Sequence, residues 1–514
     1  MNRKRKLWFG KKSEKSPKTE IEQIKGNIHG NISDNKAALQ QIFHQSTDIK
    51  YREFNLPLQE QKKVLLCYLE GLINAESINK SIMEPILEES SHSESPKAEV
   101  IPFIQNRIVH NLDVKEVTNL KDMVKGILVG KTVIMVEGST VALVVNTIRY
   151  ESRGIEEPDT ESTVRGPREG FNEVLKTNTS MLRRIIKNPN LRFEDMQIGE
   201  LTQTTVRIGY VDGIAKDDIV KEVKKRLKAI QSDSILESGY IEQFIRDHKF
   251  SPFPTVGNSE KPDKVAAKLL EGRVAILCDG TPFVLTVPFL FIEALQVPED
   301  YYNNYLFTTF IRFIRIISLF LTIYTAPLFV AASTFHQEMV PTLLLTTMAA
   351  AEEKVPFPIM LEAILMLIVF QLLREAGVRM PRPVGSAISI VGALVIGEAT
   401  VQAGLVGAPM VIVVALTAIT GFVVTVYNGV SILIRYFLLL LAGTFGLYGL
   451  LMGSLIVITH VCSLRSFGIP YLTPYGPIIL KEWKDFPFRL PIQFMKNKPK
   501  STTKNTGSKG DVYR

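Results

Sequence analysis

The chain has 514 residues, is 46% hydrophobic and carries a formal net charge of +8. Residues 1–302 hold 86 of the 112 charged side chains, whereas residues 303–460 hold only 13. A membrane-spanning helix needs about 20 consecutive apolar residues, and several such segments follow residue 303. This distribution excludes a single soluble domain. It predicts an α/β soluble region followed by an all-α polytopic membrane domain.

The basic excess lies near the C-terminus, because residues 1–302 balance 43 basic against 43 acidic side chains and residues 461–514 carry +7. Positive side chains favour the cytoplasmic side of a membrane and its anionic lipids. We therefore expect residues 465–514 to be a basic juxtamembrane tail, with anionic lipids and not nucleic acid as its partner. Residues 1–50 are polar and basic without the apolar core of a signal peptide, so we expect a disordered tail and a cytoplasmic soluble region.

Two blocks of the soluble region repeat at an offset of 142 residues. Residues 64–78, VLLCYLEGLINAESI, align with residues 206–220, VRIGYVDGIAKDDIV, and residues 130–145 align with residues 272–287. Each copy contains a hairpin signal, an acidic residue followed by the glycine that supplies positive φ, at Glu137-Gly138 and Asp279-Gly280. We expect two related α/β subdomains, over residues 51–160 and 161–300.

Neither subdomain contains residues in a catalytic pattern. His110 and His248 are isolated, and no phosphate-binding glycine loop opens a helix. The three cysteines, Cys67, Cys278 and Cys462, show neither metal-ligand spacing nor a disulfide framework. We therefore expect a binding or assembly module without cofactor or metal, and not an enzyme.

Between the subdomains, the charged turn RGPREG, residues 165–170, precedes a predicted amphipathic helix over residues 171–187. The apolar positions expected to face inward are Val174, Met181, Leu182, Ile185 and Ile186. The basic side carries Lys176, Arg183, Arg184 and Lys187, which fits a solvated surface or a contact with a partner subunit. The candidate coupling and assembly residues of this segment are Arg165, Pro167, Arg168, Glu169, Arg183 and Arg184.

The motif TVRGPREGFNE, then RRIIKNPNLRFEDM, and PRPVGSAISIVGALVIGEATVQAGLV in the apolar half resemble the A subunit of the bacterial spore germinant receptors. The resemblance runs from about residue 51 to residue 488. It implies a multi-pass protein of the spore inner membrane that works with B and C subunits. It also implies that A subunits assemble into a nutrient-gated channel, with the nutrient bound by the separate B subunit.

The membrane domain, residues 303–464, contains five apolar segments: residues 305–332, 356–373, 384–403, 408–427 and 431–464. The last is roughly 50 Å long as one helix, so we expect it to break near Gly443, Gly446 or Gly449 and to cross twice. Six crossings would leave both ends in the cytoplasm. Residues 339–351 are too short to span and are expected to be re-entrant. Arg312 and Arg315, one turn apart, are expected to couple the two regions at the membrane interface.

The third segment predicts a pore-lining face with a 3.6-residue period: Val384, Ile388, Val391, Val395, Glu398 and Gln402. Beside it runs a stripe of small residues that allows close helix packing: Gly385, Ser389, Gly392, Ala399 and Ala403. In an oligomer, the valines would form an apolar gate and Glu398 would select cations. The alternative is a structural Glu398 that is hydrogen-bonded to Gln402, to Thr400 or to a neighbouring helix. Glu362 and Arg374 of the second segment are expected to pair or to lie at the interfaces.

These observations favour an A subunit whose copies form an oligomeric channel that releases monovalent cations and starts germination. A secondary transporter is an alternative, and it predicts internal symmetry in the membrane half. The observed repeat lies in the soluble half, which disfavours transport. A membrane scaffold that recruits a separate channel is the remaining alternative.

Overall fold

The computed structural model describes residues 21, 24–56, 62–73, 78–84, 101–102, 104, 114–147, 158, 161, 163–379, 397–485, 487–495 and 498–504. The chain up to residue 302 forms an α/β region of two units, and a bundle of apolar helices begins at Tyr305. The predicted fold class, two related α/β subdomains followed by a helical domain, is confirmed.

The first unit contains a five-stranded antiparallel sheet of order β1-β2-β4-β5-β3. Its strands are β1 (Ile49–Asn55), β2 (Lys63–Leu69), β3 (Val114–Val117), β4 (Thr132–Val136) and β5 (Ala142–Val145). Two helices, α1 (Ile32–Ile42) and α2 (Leu120–Leu128), pack on one face of this sheet. Alternate residues of β2 face opposite sides, so that Leu65 and Cys67 contact this helical layer while Val64 and Leu66 enter a second core.

The second unit repeats this plan with the strand order β6-β7-β9-β10-β8. Its strands are β6 (Leu191–Ile198), β7 (Thr204–Val211), β8 (Gly257–Ser259), β9 (Val274–Cys278) and β10 (Val284–Val287). Helices α3 (Leu175–Ile185) and α6 (Pro262–Leu270) cover one face, and α4 (Asp217–Lys228) and α5 (Ser238–Ile245) cover the other. Each face of the sheet therefore has its own apolar core.

The 142-residue offset extends beyond the two blocks found in the sequence. Strands β1, β4 and β5 and helix α2 begin 142 residues before β6, β9, β10 and α6, respectively. Both predicted hairpin turns are present, and Gly138 and Gly280 have φ of 85° and 86°. The duplication therefore includes almost the whole sheet and the helix that packs on it.

The structure contains folded elements within both predicted tails. In the N-terminal segment, Ile32, Leu39 and Phe43 are buried in the first core because their spacing places them on one side of α1. In the C-terminal segment, a ribbon of β11 (Arg465–Ser466) and β12 (Ile469–Pro470) puts Phe467 into a core of the second unit. Thr503 then forms an antiparallel bridge with Ala215.

A buried ion pair joins the two α/β units. Arg183 of α3 donates from Nε to Asp48 Oδ2 at 2.7 Å and from Nη2 to Oδ1 at 3.0 Å, and both side chains are 1% exposed. The Ser46 hydroxyl and the Asn188 carbonyl accept further bonds from the same guanidinium. Burial alone would raise the pKa of Asp48, but the charge and hydrogen bonds of Arg183 outweigh burial and hold that pKa below its usual value.

This pair corrects the predicted orientation of the helix. Met181, Leu182 and Ile186 are buried as expected, but Val174 and Ile185 are 51% and 47% exposed. The helix begins at Leu175, which leaves Val174 at its N-terminal cap. Arg183 points inward because Asp48 supplies a buried counter-charge.

The bundle consists of α8 (Tyr305–Phe335), α9 (Thr342–Glu352), α10 (Ile359–Arg379), α11 (Gly397–Gln402), α12 (Ala408–Val423) and α13 (Asn428–Ser463). Among the described helices, α8 and α13 are long and apolar enough to cross a membrane, and α12 is a shorter apolar helix. The predicted re-entrant segment corresponds to the 11-residue helix α9. Residues 384–396, which are most of the predicted third span, lie outside the described residues.

Helix α13 is a hairpin and not one straight helix. Gly446, one of the three predicted break points, has φ of 62° in its middle. Beyond this turn the chain returns, since a Cβ at Gly453 would meet Leu438 at 2.7 Å. Phe253 of the α/β region contacts both ends of the hairpin, with ring centroids 6.4 Å from Tyr427 and 6.0 Å from His460. Each arm is therefore about 27 Å long, close to the hydrocarbon thickness of about 30 Å.

The positions of the helix ends give the directions of the other helices. The end of α8 meets the hairpin turn, because Phe335 lies beside Gly446. Met360 at the start of α10 lies against Gly443, near the same turn. Helix α12 ends beside Asn428, where the hairpin begins. Helix α8 thus leads away from the α/β region, and α10 and α12 run towards it.

Replacing Arg183 with leucine should destabilise the contact between the units, because Asp48 would stay buried without its counter-charge. We expect the free energy of opening at β1 and β6 to fall by about 3–5 kcal/mol, measured by amide hydrogen exchange on the purified full chain. Arg184→Leu is the matched control, since Arg184 is on the same helix but 22% exposed. In this control, the free energy of opening should fall by less than about 1 kcal/mol. Equal losses would contradict the role of the buried pair.

The same variants predict a pH dependence. In the native chain the pKa of Asp48 lies below its unfolded value of about 3.9. The stabilisation is therefore present at neutral pH and is lost as the pH falls through the folded pKa. In Arg183→Leu, burial would raise the pKa of Asp48. The stability deficit of this variant, relative to the native chain, should therefore shrink as the pH falls from about 7 to about 4. A deficit that is constant over this range would contradict the assignment.

Replacing Gly446 with valine should disturb the hairpin, because a β-branched residue is strained at positive φ and its Cβ would meet Phe335 and His336 at 2.9 Å. Gly429→Val is the control, since a Cβ there meets nothing within 4 Å. We expect faster amide hydrogen exchange in both arms of α13 only in Gly446→Val. Equal exchange in the two variants would contradict a turn at Gly446.

Candidate functional site at the junction of the two regions

The short helix α7 (Glu299–Tyr302) links four parts of the molecule through four consecutive residues. Glu299 accepts hydrogen bonds from the backbone N–H groups of Val164 and Arg165. Asp300 binds arginines of α8, Tyr301 donates to Asp485 of the C-terminal segment at 2.7 Å, and Tyr302 donates to Asp263 of α6 at 2.6 Å. Helix α7 therefore connects these four parts to one another directly.

The arginines at the start of α8 are neutralised at this junction. Arg312 Nε lies 3.0 Å from Asp300 Oδ2, and Arg315 Nη1 lies 2.8 Å from the same oxygen. Arg312 also contacts Asp485 at 3.1 Å and is fully buried. The two arginines can share Asp300 because residues three apart lie on the same side of a helix. The structure thus brings Arg312 and Arg315 together at the predicted interface between the regions.

The C-terminal segment completes the junction. Arg489 donates to the backbone carbonyls of Tyr301 and Asn303 at 3.1 and 2.8 Å. Burial raises the pKa of the Tyr301 phenol, which therefore stays protonated and donates to Asp485. Burial also raises the pKa of the Asp485 carboxyl, although Arg312 opposes this effect. The junction depends on residues that follow the bundle as well as on residues that precede it.

The predicted coupling turn, residues 165–170, packs against α7. Gly166 has φ of 141°, and a Cβ at this position would meet the Tyr302 ring at 2.7 Å. The buried Lys261 donates to Thr163 Oγ1 at 2.9 Å and to the Pro167 carbonyl at 3.0 Å. Glu169 pairs with Arg184 of α3. The side chains of Arg165 and Arg168 are exposed.

A second contact between the regions is aromatic. Phe253 and Phe291 of the α/β region pack with Tyr427 at the start of α13 and with Tyr471 beyond its end. Tyr427 donates to the Phe291 carbonyl at 2.7 Å. Ser251 and His460 form a hydrogen bond of 2.9 Å beside this cluster. The hairpin is thus held at both of its ends.

The predicted pore face is only partly described. Val384, Ile388, Val391 and Val395, and likewise Gly385, Ser389 and Gly392 of the small stripe, lie outside the described residues. Glu398 is exposed and accepts a hydrogen bond from Gln402 at 3.1 Å. Ala399 and Ala403 are exposed as well. Within one chain, the described end of this face does not pack against the bundle.

Glu362 has a structural partner that the sequence did not reveal. It is 1% exposed and accepts a hydrogen bond of 2.6 Å from the backbone N–H of Gly407, which caps the N-terminus of α12. A carboxylate is favourable at this end of a helix. The suggested pairing with Arg374 does not form, since that guanidinium lies over the Phe422 ring at 5.6 Å.

Several junction residues were missed from sequence. The sequence does not distinguish four of them, because single carboxylates and tyrosines are common on surfaces. They are Asp300, Tyr301, Tyr302 and Asp485. A usable signal was present, since Glu299 and Asp300 are the last acidic residues before an apolar helix that carries two arginines. No comparable signal pointed to Asp485, which lies 173 residues beyond Arg312.

Comparison with known proteins identifies the family. Residues 37–501 match the family described as Bacillus/Clostridium GerA spore germination protein. Spore germination protein KA of Bacillus subtilis (strain 168) is 43% identical over 479 residues, which cover 93% of this chain and 88% of that protein. Spore germination protein GerLA of Bacillus cereus is 36% identical, with 92% and 96% covered. The uncharacterized membrane protein YfkQ of Bacillus subtilis (strain 168) is 41% identical, with 94% and 93% covered.

A solved structure is also similar to the N-terminal half. The N-terminal domain of the A subunit of the Bacillus megaterium spore germinant receptor GerK3 is 35% identical and covers 52% of this chain and 98% of that chain, with a TM-score of 0.42. The family match spans residues 37–501, and the relatives align over most of their length. The chain therefore belongs to the GerA family of spore germination proteins.

Proposed function

We propose that this chain is the A subunit of a nutrient-responsive spore germinant receptor in the spore inner membrane. The family membership and the relatives named as spore germination proteins support this role. The solved neighbour is named as the A subunit of a germinant receptor, and we extend that description to this chain with B and C subunits as partners. The receptor signals by opening an ion path, and this chain performs no catalysis.

The observation that supports the proposal most strongly is the set of contacts made by α7. Glu299, Asp300, Tyr301 and Tyr302 connect the turn at residues 165–170, the second α/β unit, the C-terminal segment and the first long apolar helix. Pulling a buried ion pair apart costs several kcal/mol. A displacement of the α/β region would therefore move α8 and would not break the junction.

We infer that several copies surround an ion path, lined by the face from Val384 to Gln402. The exposed Glu398 supports this inference, because an intramembrane carboxylate usually faces a partner or water. The bundle crosses the membrane six times in this proposal, with both ends in the cytoplasm. The hairpin supports it, since both ends of α13 return to Phe253 of the α/β region. Anionic lipids are proposed partners of the basic C-terminal residues.

Asp300→Asn should uncouple the two regions. The change leaves the buried Arg312 and the half-buried Arg315 without their shared carboxylate, and loss of one partner of a buried pair costs about 3–5 kcal/mol. We expect faster amide exchange across residues 299–315 in the purified receptor and a weaker germination response to nutrient in spores with normal subunit levels. Asp263→Asn is the control, because Asp263 is also a carboxylate bonded to α7, through Tyr302. Unchanged exchange and response in Asp300→Asn would contradict the coupling role.

Glu398→Gln should slow the release of monovalent cations several-fold while the receptor still assembles, because the change removes the charge and preserves the shape. Glu338→Gln is a matched control, since Glu338 is an exposed acidic residue that follows the end of α8, near the hairpin turn. Cation efflux from germinating spores and recovery of the complex are the two measurements. Normal efflux from an assembled Glu398→Gln receptor would contradict the pore assignment. Absence of conductance from purified protein, alone and with its partners, would favour the scaffold.

A further inference from the structure

A cavity of about 260 Å³ lies where the α/β region meets the bundle. Its floor is formed by Phe253 and Phe291 of the α/β region together with Tyr427. Its walls come from α8, through Leu319 and Ile323, and from both arms of the α13 hairpin. Any molecule held in it would therefore contact the two regions at once.

The lining restricts the chemistry of the occupant. None of the described residues around the cavity carries a charge, and most are aliphatic or aromatic. The Tyr427 hydroxyl already donates to the Phe291 carbonyl and lies 3.1 Å from the Tyr471 hydroxyl. A zwitterionic amino acid would bury two charges without counter-charges, which is strongly unfavourable. The cavity therefore suits an apolar molecule.

The size and the position of the opening indicate which apolar molecule. An apolar cavity of about 150 Å³ accepts benzene, so this larger cavity accommodates a segment of a hydrocarbon chain. Ile458 lines the cavity and is 55% exposed, and its neighbours Leu455 and Ile456 are both 57% exposed on the outer surface of the second arm. The opening thus continues into an apolar surface of the length that spans a membrane.

We propose that this cavity binds an acyl chain of a membrane lipid. The proposal rests on the placement of α8 and α13 in the membrane, which belongs to the proposed function. The chain would enter between α8 and the second arm of the hairpin and end against Phe253 and Phe291. It would fill the space beside the Ser251–His460 hydrogen bond, where the hairpin is attached to the α/β region. The chain length and packing of the surrounding lipid would then alter the strength of this attachment.

The test uses the purified receptor in vesicles of phosphatidylcholine with a photoreactive diazirine near the end of one acyl chain. After illumination, labelled peptides are mapped by mass spectrometry. We expect label on cavity-lining residues of α8 and α13. Val457→Phe, which fills the cavity, should reduce this label at least fivefold. The matched control Ile456→Phe changes an exposed neighbour outside the lining and should leave it unchanged.

A second variant covers the case in which Val457→Phe fails to fold. Ile434→Ala enlarges the cavity and should increase the label there. Label that is confined to outward residues such as Ile456, or that is equal in all variants, would overturn the proposal. Loss of cavity label on addition of a nutrient amino acid would also overturn it, because the cavity would then be a nutrient site. Absence of label anywhere on α8 and α13 would instead contradict their placement in the membrane.

Discussion

Two positive charges at the start of a long apolar helix are the constraint on which the molecule depends. Arg312 is fully buried and Arg315 is 13% exposed, and burying such charges without anionic partners is costly. Asp300 and Asp485 are the carboxylates that approach them. Asp300 is held on α7, which follows the second α/β unit, and Asp485 is held on the segment that follows the bundle. The need to neutralise one pair of arginines therefore brings α7 and the adjacent start of α8 together with a segment 173 residues beyond Arg312.

The parts of this architecture that could be predicted from sequence are those that local patterns determine. The 142-residue repeat marked the strands and turns, because the alternation of apolar residues and the acidic-glycine turns are set by neighbouring residues. The apolar segments were visible for the same reason. The break in α13 was predictable within one turn, since a helix of that length exceeds the membrane and a glycine supplies the positive φ that Gly446 adopts.

The remaining features depend on contacts between residues far apart in sequence. The helical pattern places Arg183 on a basic surface, because its partner Asp48 lies 135 residues away and is not visible to a local pattern. Asp485 likewise became meaningful only when the fold placed it beside Arg312. Amphipathic patterns assume that charges face solvent, and this assumption fails wherever tertiary structure supplies a buried counter-charge. The candidate pore face was drawn from periodicity alone, and only Glu398 and Gln402 of it lie within the described residues.

The burial of Phe467 links the order of synthesis to the order of folding. This residue leaves the ribosome after every helix of the bundle, yet it belongs to a core of the second α/β unit, where its ring lies under the Arg226 guanidinium at 4.3 Å. Its backbone N–H donates to Asp247, and Thr503 later pairs with Ala215. The second unit is thus completed only after the helices have been made. The second unit therefore depends on residues that follow the whole bundle, although it precedes the bundle in the sequence.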